Sequence, residues 1–315
     1  MMRSFWSLIK DAFSQWWNED RPFELAAALA YYTLFSLAPL LVIAVSVAGF
    51  FFGREAAQNQ IVQTLSGFIG KDAGLVIQTM IENAGKQQTS DSFFAVLIGV
   101  ALLLFGAGGV IGQLQTSLNM IWGVEAKPGQ GVLGFIKERF VSYAMVLGVG
   151  FLLLVSLVVS AALSAFDQFL DGAMPGAGVL LQVLHFVVSL GLIAFMFAAI
   201  YRFMPDARIS WKDVAVGGFL TALLFNIGKF FIGLYIGQSS VASVYGAAGS
   251  IVTLLLWIYY SSLIFFFGAE MTQVYAAKYG SGLTPLNNAQ PAAPEIQRGK
   301  RMRPDNRRNP RPIPN

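Results

Sequence analysis

Between Ile251 and Phe267 the chain reads IVTLLLWIYYSSLIFFF. With its flanks this run is long enough, at about 1.5 Å per helical residue, to cross a hydrocarbon core of roughly 30 Å. Tyr259, Tyr260, Ser261 and Ser262 stand at its middle, and Glu270 follows just beyond. Hydrocarbon offers these groups no hydrogen-bond partner, so a spanning helix that carries them requires protein or water alongside. The segment implies both a membrane and a polar interior within it.

Composition generalises the point. Of 315 residues 56% are hydrophobic and 12% charged, about half the charged share of an average soluble domain. The chain reads as an integral membrane protein. It contains no cysteine and a single histidine, His185, which excludes disulfides, thiolate metal sites and cysteine nucleophiles and leaves little for imidazole chemistry. Glu19, Asp20 and Glu24 precede a first apolar run that is too long for a signal-peptide core and has no small-residue cleavage site after it, so that run is expected to stay as an anchor.

The expected fold class is all-α, a polytopic membrane protein with six transmembrane helices. The spans are Leu25 to Phe52, Phe93 to Gly112, Phe140 to Ala165, Val179 to Tyr201, Val214 to Ile236 and Ala247 to Tyr275. Pro39 predicts a kink or tilt in the first, and Gly106, Gly108, Gly109 and Gly112 blur the end of the second. Outside the spans, alternate segments hold seventeen Lys and Arg residues against three. The basic excess places both termini, the second loop and the fourth loop on the cytoplasmic side of the membrane.

Residues 1–22 are expected to form a cytoplasmic interfacial helix, with Phe5, Trp6, Ile9, Phe13, Trp16 and Trp17 on one face. The membrane domain follows over 23–279. In its long outer loop Ile61, Val62, Leu65, Phe68 and Ile69, then Leu75, Val76, Met80 and Ile81, predict two outer amphipathic helices between the first and second spans. They either rest on the leaflet or cap the bundle. From Gly280 to Asn315 seven of the twelve prolines and seven basic residues are gathered, so 280–315 reads as a disordered cytoplasmic tail.

Several residues are placed where polarity is costly. Lys229 lies roughly 24 Å along the fifth helix from its inner end, with Asn226 one turn away; its ammonium either snorkels outward or serves an anionic ligand. Glu270 sits near a helix C-terminus, which disfavours an anion, so an ion pair with Arg139 or Arg202, or a functional role, is expected of it. Glu24 lies at the inner start of the first helix, where the helix dipole suffices to explain it. Tyr31, Tyr32 and Ser36 enter deeper than an aromatic belt and read as inward-facing. Gly108/Gly112 and Gly233/Gly237 fit close helix packing, a hinge or a dimer contact, so a homo-oligomer is compatible with the sequence. Gly85-Lys86 and Gly228-Lys229 lack the remaining residues of a phosphate loop, and no metal motif, nucleophile elbow or soluble carboxylate cluster occurs. No cofactor, metal, catalytic residue or nucleic-acid partner is expected.

Four stretches carry a resemblance: ELAAALAYYTLFSLAPLL from Glu24, LQTSLNMIWGV from Leu114, YRFMPDARISWKDVAVGGFL from Tyr201 and YGAAGSIVTLLLWIYYSSLIFFFGAEMTQVYA from Tyr245. Together they resemble the YihY family of bacterial inner-membrane proteins, also called the virulence factor BrkB family and once labelled ribonuclease BN. The resemblance implies a six-helix inner-membrane protein tied to envelope integrity and serum resistance, with envelope lipids among its suspected cargo. The ribonuclease label conflicts with the residues, because RNA hydrolysis needs metal-bound water or a positioned acid and base in a wet groove. Two functions remain. One is a transporter, channel or flippase-like protein for an envelope lipid or other anionic amphiphile, with Lys229 drawing in a headgroup, Asn226, Tyr31, Tyr32, Ser36, Tyr259, Tyr260, Ser261 and Ser262 forming a track, and Glu24 and Glu270 shaping an inner gate. The other is a non-transporting scaffold that docks an envelope protein partner, in which the same groups hold helices together.

Overall fold

The computed structural model describes residues 2–69, 71–87, 93–127, 178–238, 248–280, 282–286 and 288–292. The predicted span 140–165, Arg139, the His185 side chain and residues 293–315 lie outside this description. Among the described residues eight helices dominate: α1 (Met2–Asn18), α2 (Pro22–Phe52), α3 (Arg54–Ile69), α4 (Lys71–Gln87), α5 (Phe93–Trp122), α6 (Gly178–Phe203), α7 (Trp211–Gln238) and α8 (Gly249–Lys278). Four short strands accompany them: β1 (Val124–Ala126), β2 (Ala207–Arg208), β3 (Thr284–Pro285) and β4 (Ala289–Pro291).

Long helices are the expected answer to apolar sequence without water, since each satisfies its own backbone groups. Among the described residues, three contain stretches long and apolar enough to cross a membrane: Phe186–Phe203, Trp211–Tyr235 and Gly249–Lys278. Five of the predicted spans fall on α2, α5, α6, α7 and α8, and α5 runs on past the predicted end at Gly112 to Trp122. The glycines that weaken it are outweighed by packing, because Ile111, Leu118, Ile121 and Trp122 are all buried in the main core. α2 stays helical through Pro39.

Helix ends follow local chemistry. Arg21 takes a left-handed conformation (φ 48°) between α1 and α2, and Pro22 then opens α2 at a position where its missing N–H is no loss. Pro205 stops α6. Ser210 starts α7, its hydroxyl accepting from the Lys212 N–H (3.2 Å) with Asp213 in the first turn. α5 ends at Gly123, whose positive φ of 61° turns the chain into β1.

The main core lies where α2, α5, α6, α7 and α8 meet, around Leu25, Leu118, Trp122, Tyr201 and Phe266. A second cluster joins Ile77 and Ile81 of α4, with partly buried Ile61 and Leu65 of α3, to Leu41 and Val45 of α2 and Leu254 and Ile258 of α8. The two connecting helices therefore pack on the bundle itself. Helix α1 is docked on α8 through Leu8, Ala12, Met271 and Val274, and Lys278 pairs with Asp11.

Two features depart from the sequence reading. Residues 282–286 and 288–292 do not follow the expectation of disorder from 280 onward: β4 pairs antiparallel with β1 (Val124↔Pro291, Ala126↔Ala289) and β3 with β2 (Ala207↔Pro285). These pairs also modify the all-α expectation. The physical reason is that Leu283, Ala289 and Ala292 find buried positions, while the prolines occupy edge positions where no ladder donor is needed. The strand pairs bring the ends of α5, α6 and α8 and the start of α7 to one end of the molecule, here termed the strap end. Helix α1 lies there too.

Candidate functional site

Helices α6, α7 and α8 approach one another closely where small residues face each other. Gly217 and Thr221 on α7 face Gly268 and Thr272 on α8 reciprocally. A Cβ added at Gly217 would overlap the Thr272 side chain, and one at Gly268 would overlap Thr221. Each threonine hydroxyl donates to the carbonyl of the glycine four residues earlier in its own helix (2.7 Å in both). Gly218 meets Ala194 and Ala198 of α6 in the same way. The Tyr201 hydroxyl closes the junction, donating to the Phe265 carbonyl (2.7 Å) and lying 3.1 Å from the Thr221 hydroxyl. Small residues that let backbones approach are the usual basis of helix association in lipid.

Around this junction the polar residues singled out by the sequence are distributed unequally. Glu270 is fully buried at 0% exposure, as are Thr272 and, at 1%, Gln273. It lies one turn beyond Phe267, whose ring packs edge-on against Trp16 of α1 (5.5 Å, 73°). Ser36 is buried on α2, and Ser262 is buried with its hydroxyl donating to the Ile258 carbonyl (2.7 Å). Ser261, Tyr259 and Tyr260 are half-buried. The Tyr260 ring lies over Gly228, where an added Cβ would stand 3.1 Å from it, so this tyrosine meets the helix that carries Asn226 and Lys229. Both of those are half-buried, and the Asn226 amide donates to the Ala222 carbonyl of its own helix (2.9 Å).

The first-helix residues behave differently. Tyr31 is 59% exposed and stacks on Phe35 (4.8 Å). Tyr32 packs against Gly109 of α5, an added Cβ there lying 3.0 Å from its ring. Glu24 is exposed and ion-paired with Arg21 (3.6 Å). The structure thus gathers Tyr260, Gly228 and the Asn226–Lys229 segment along the α7–α8 seam, with Glu270 buried farther along α8. Glu24 and Tyr31 stand apart from them. Gly233 has open space around it and contributes no close packing.

A polar knot at the strap end was not anticipated. Asp206, buried between α6 and α7, accepts from the side-chain amides of Asn119 (2.8 Å), Gln115 (3.2 Å) and Asn288 (3.3 Å). Its own N–H donates to the Asn119 side-chain oxygen Oδ1 (2.8 Å), and its backbone carbonyl accepts from the Leu286 N–H (2.9 Å). One carboxylate ties α5, the α6–α7 turn and the terminal strap together through neutral amides. The sequence signal was present, since Asp206 follows Pro205 and Gln115 and Asn119 are spaced one turn apart, but nothing local links them. Among the described residues no group of three or more His, Asp or Glu is placed to hold a metal ion.

The family described as Virulence factor BrkB matches residues 13–293. A UPF0761 membrane protein of Pseudoalteromonas translucida is 31% identical over 252 residues, covering 78% of this chain and 79% of its own. A UPF0761 membrane protein of Vibrio vulnificus is 29% identical, covering 81% and 78%. One from Pseudomonas aeruginosa is also 29% identical, but the matched region, 80% of this chain, spans only 59% of its length. No solved structure matches. A match that runs from α1 through the strap, together with helices long and apolar enough to cross a membrane, establishes that the chain belongs to the virulence factor BrkB family of membrane proteins.

Proposed function

We propose that the protein is a bacterial inner-membrane transporter, channel or flippase-like protein for an envelope lipid or another anionic amphiphile. It is built on six spanning helices with both termini in the cytoplasm. The observation that carries this reading is Glu270, a fully buried carboxylate on a helix apolar enough to span. Ionisable groups at such positions are costly and mark functional paths by default. Half-buried Lys229 and Asn226 beside Tyr260 add a polar seam on the way to the opposite end. Supporting the topology, Lys10, Arg21, Lys127, Arg202, Arg208, Lys212 and Lys278 all belong to segments at the strap end, the distribution expected of a cytoplasmic face. In this topology α3 and α4 cap the outer end. The reading is non-enzymatic and calls for no cofactor.

A second reading, the scaffold that docks envelope proteins, is favoured by the Gly217/Thr272 and Gly268/Thr221 contacts. Their hydroxyls, like that of Ser262, are engaged with their own helices. Reconstitution separates the two. Vesicles carrying the protein are expected to move labelled anionic lipid or amphiphile faster than protein-free vesicles, with Glu270→Gln and Lys229→Ala each slowing it at least tenfold, about 1.4 kcal/mol of barrier. No movement above protein-free vesicles, with variant cells indistinguishable from wild type, would leave the scaffold.

A further inference from the structure

The turn between α6 and α7 carries a surface unrelated to the seam. Trp211, the first residue of α7, lies between two rings of α6: it stacks parallel to Phe195 (6.2 Å, 2°) and meets Phe203 edge-on (5.6 Å, 77°). All three rings are about half-exposed. The Arg202 guanidinium lies over the Trp211 ring, 5.8 Å from its centroid. Arg208 and Lys212, both exposed, flank the same turn. Arg21 pairs with Glu24 and Lys278 with Asp11, whereas none of Arg202, Arg208 and Lys212 is ion-paired with a described carboxylate. The apolar stretches Phe186–Phe203 and Trp211–Tyr235 end and begin at this turn, which puts the rings at the level where chains give way to headgroups.

We infer that the Phe195–Trp211–Phe203 ladder with Arg202, Arg208 and Lys212 is a binding site for one anionic phospholipid of the surrounding leaflet. The half-exposed rings lie along an acyl chain, as interfacial aromatics do. The Arg202 guanidinium lies over the Trp211 ring at 5.8 Å, and its N–H groups can donate to a phosphate in the fork geometry that distinguishes arginine from lysine. Arg208 and Lys212 add charge, and basic residues at a membrane surface select anionic over zwitterionic lipids. A lipid held here is a fixed ligand of the fold, so the site is independent of whether the α7–α8 seam conducts cargo.

The test uses the full-length protein purified in mild detergent with equal amounts of phosphatidylglycerol and phosphatidylethanolamine, with retained lipids counted by native mass spectrometry. Wild type is expected to retain phosphatidylglycerol preferentially. Each of Arg202→Gln, Arg208→Gln and Lys212→Gln is expected to lower that preference roughly fivefold, and the triple variant to abolish it. Trp211→Leu, which removes no charge, is expected to lower it about as much as Arg202→Gln, while Arg54→Gln on α3 leaves it unchanged. Because Arg208 and Lys212 are exposed, their single variants keep the test readable if the triple variant does not fold. A wild type without preference, a triple variant that keeps it, or an equal loss in Arg54→Gln would each overturn the assignment.

Discussion

At the scale of single residues, the helix contacts depend on which glycines face a neighbour. Gly217→Ala and Gly268→Ala each press a methyl group into a threonine on the opposing helix, and overpacking of this kind costs about 1–3 kcal/mol. Gly233→Ala meets open space, and the helical preference for alanine makes it neutral or stabilising by up to about 1 kcal/mol. Unfolding midpoints in mixed micelles distinguish the three variants, and a Gly233→Ala protein weaker than Gly268→Ala would contradict the packing described. The glycine spacing alone pointed to Gly233 and Gly237, because a four-residue spacing identifies a shared face but not what that face meets. Gly217 and Gly268 stand about fifty residues apart in the chain, on different helices. Their pairing is a property of how two antiparallel helices are aligned, which no local pattern encodes. Removing the Tyr201 hydroxyl with Tyr201→Phe leaves the ring in place and costs about 1 kcal/mol through the lost bond to the Phe265 carbonyl.

Among the elements, the long helices were legible because apolar runs of spanning length admit few alternatives in lipid, and α2, α6, α7 and α8 begin and end within about three residues of where hydropathy places them. The strap was not legible. Thr284–Pro285 and Ala289–Pro291 lack β-branched alternation and contain proline, so they read as tail. Their structure derives from partners lying some eighty and one hundred and sixty residues earlier. The absence of cysteine makes this pairing directly testable: Ala126→Cys with Ala289→Cys should be joined by a short thiol cross-linker, whereas Ala126→Cys with Thr284→Cys, which occupy different sheets, should not. Equal cross-linking of both pairs, or of neither, would contradict the register. Asp206→Ala leaves the amides of Asn119, Gln115 and Asn288 without their acceptor. It is expected to lower the thermal midpoint more than Asn288→Ala, by an amount worth about 1–3 kcal/mol.

For the whole molecule, one end collects the strap, α1 and most of the described basic residues, and the other carries α3 and α4. The orientation proposed from charge then makes a simple statement about sidedness. Thiols introduced at Asn18 and Thr284 should react with a membrane-impermeant reagent from the same side, and one at Gln58 on α3 from the opposite side. Position 58 reacting together with the other two would reverse the topology. Function at this scale depends on whether the interior that Tyr259, Tyr260 and Ser261 imply is open to water. Much of it was legible as chemistry, because hydroxyls and a carboxylate inside an apolar run announce a polar environment. Their grouping was not, since it depends on how α7 and α8 face each other. The most direct measurement is thiol accessibility of Ser261→Cys in native membranes to a small charged methanethiosulfonate reagent, with Ser262→Cys, buried and turned to its own helix, as the internal reference. A conducting seam predicts that position 261 reacts at a rate well above position 262 and is slowed by an anionic amphiphile. Equal protection of both positions from the charged reagent, with reaction only toward a lipophilic one, would contradict a path and leave those hydroxyls as helix contacts.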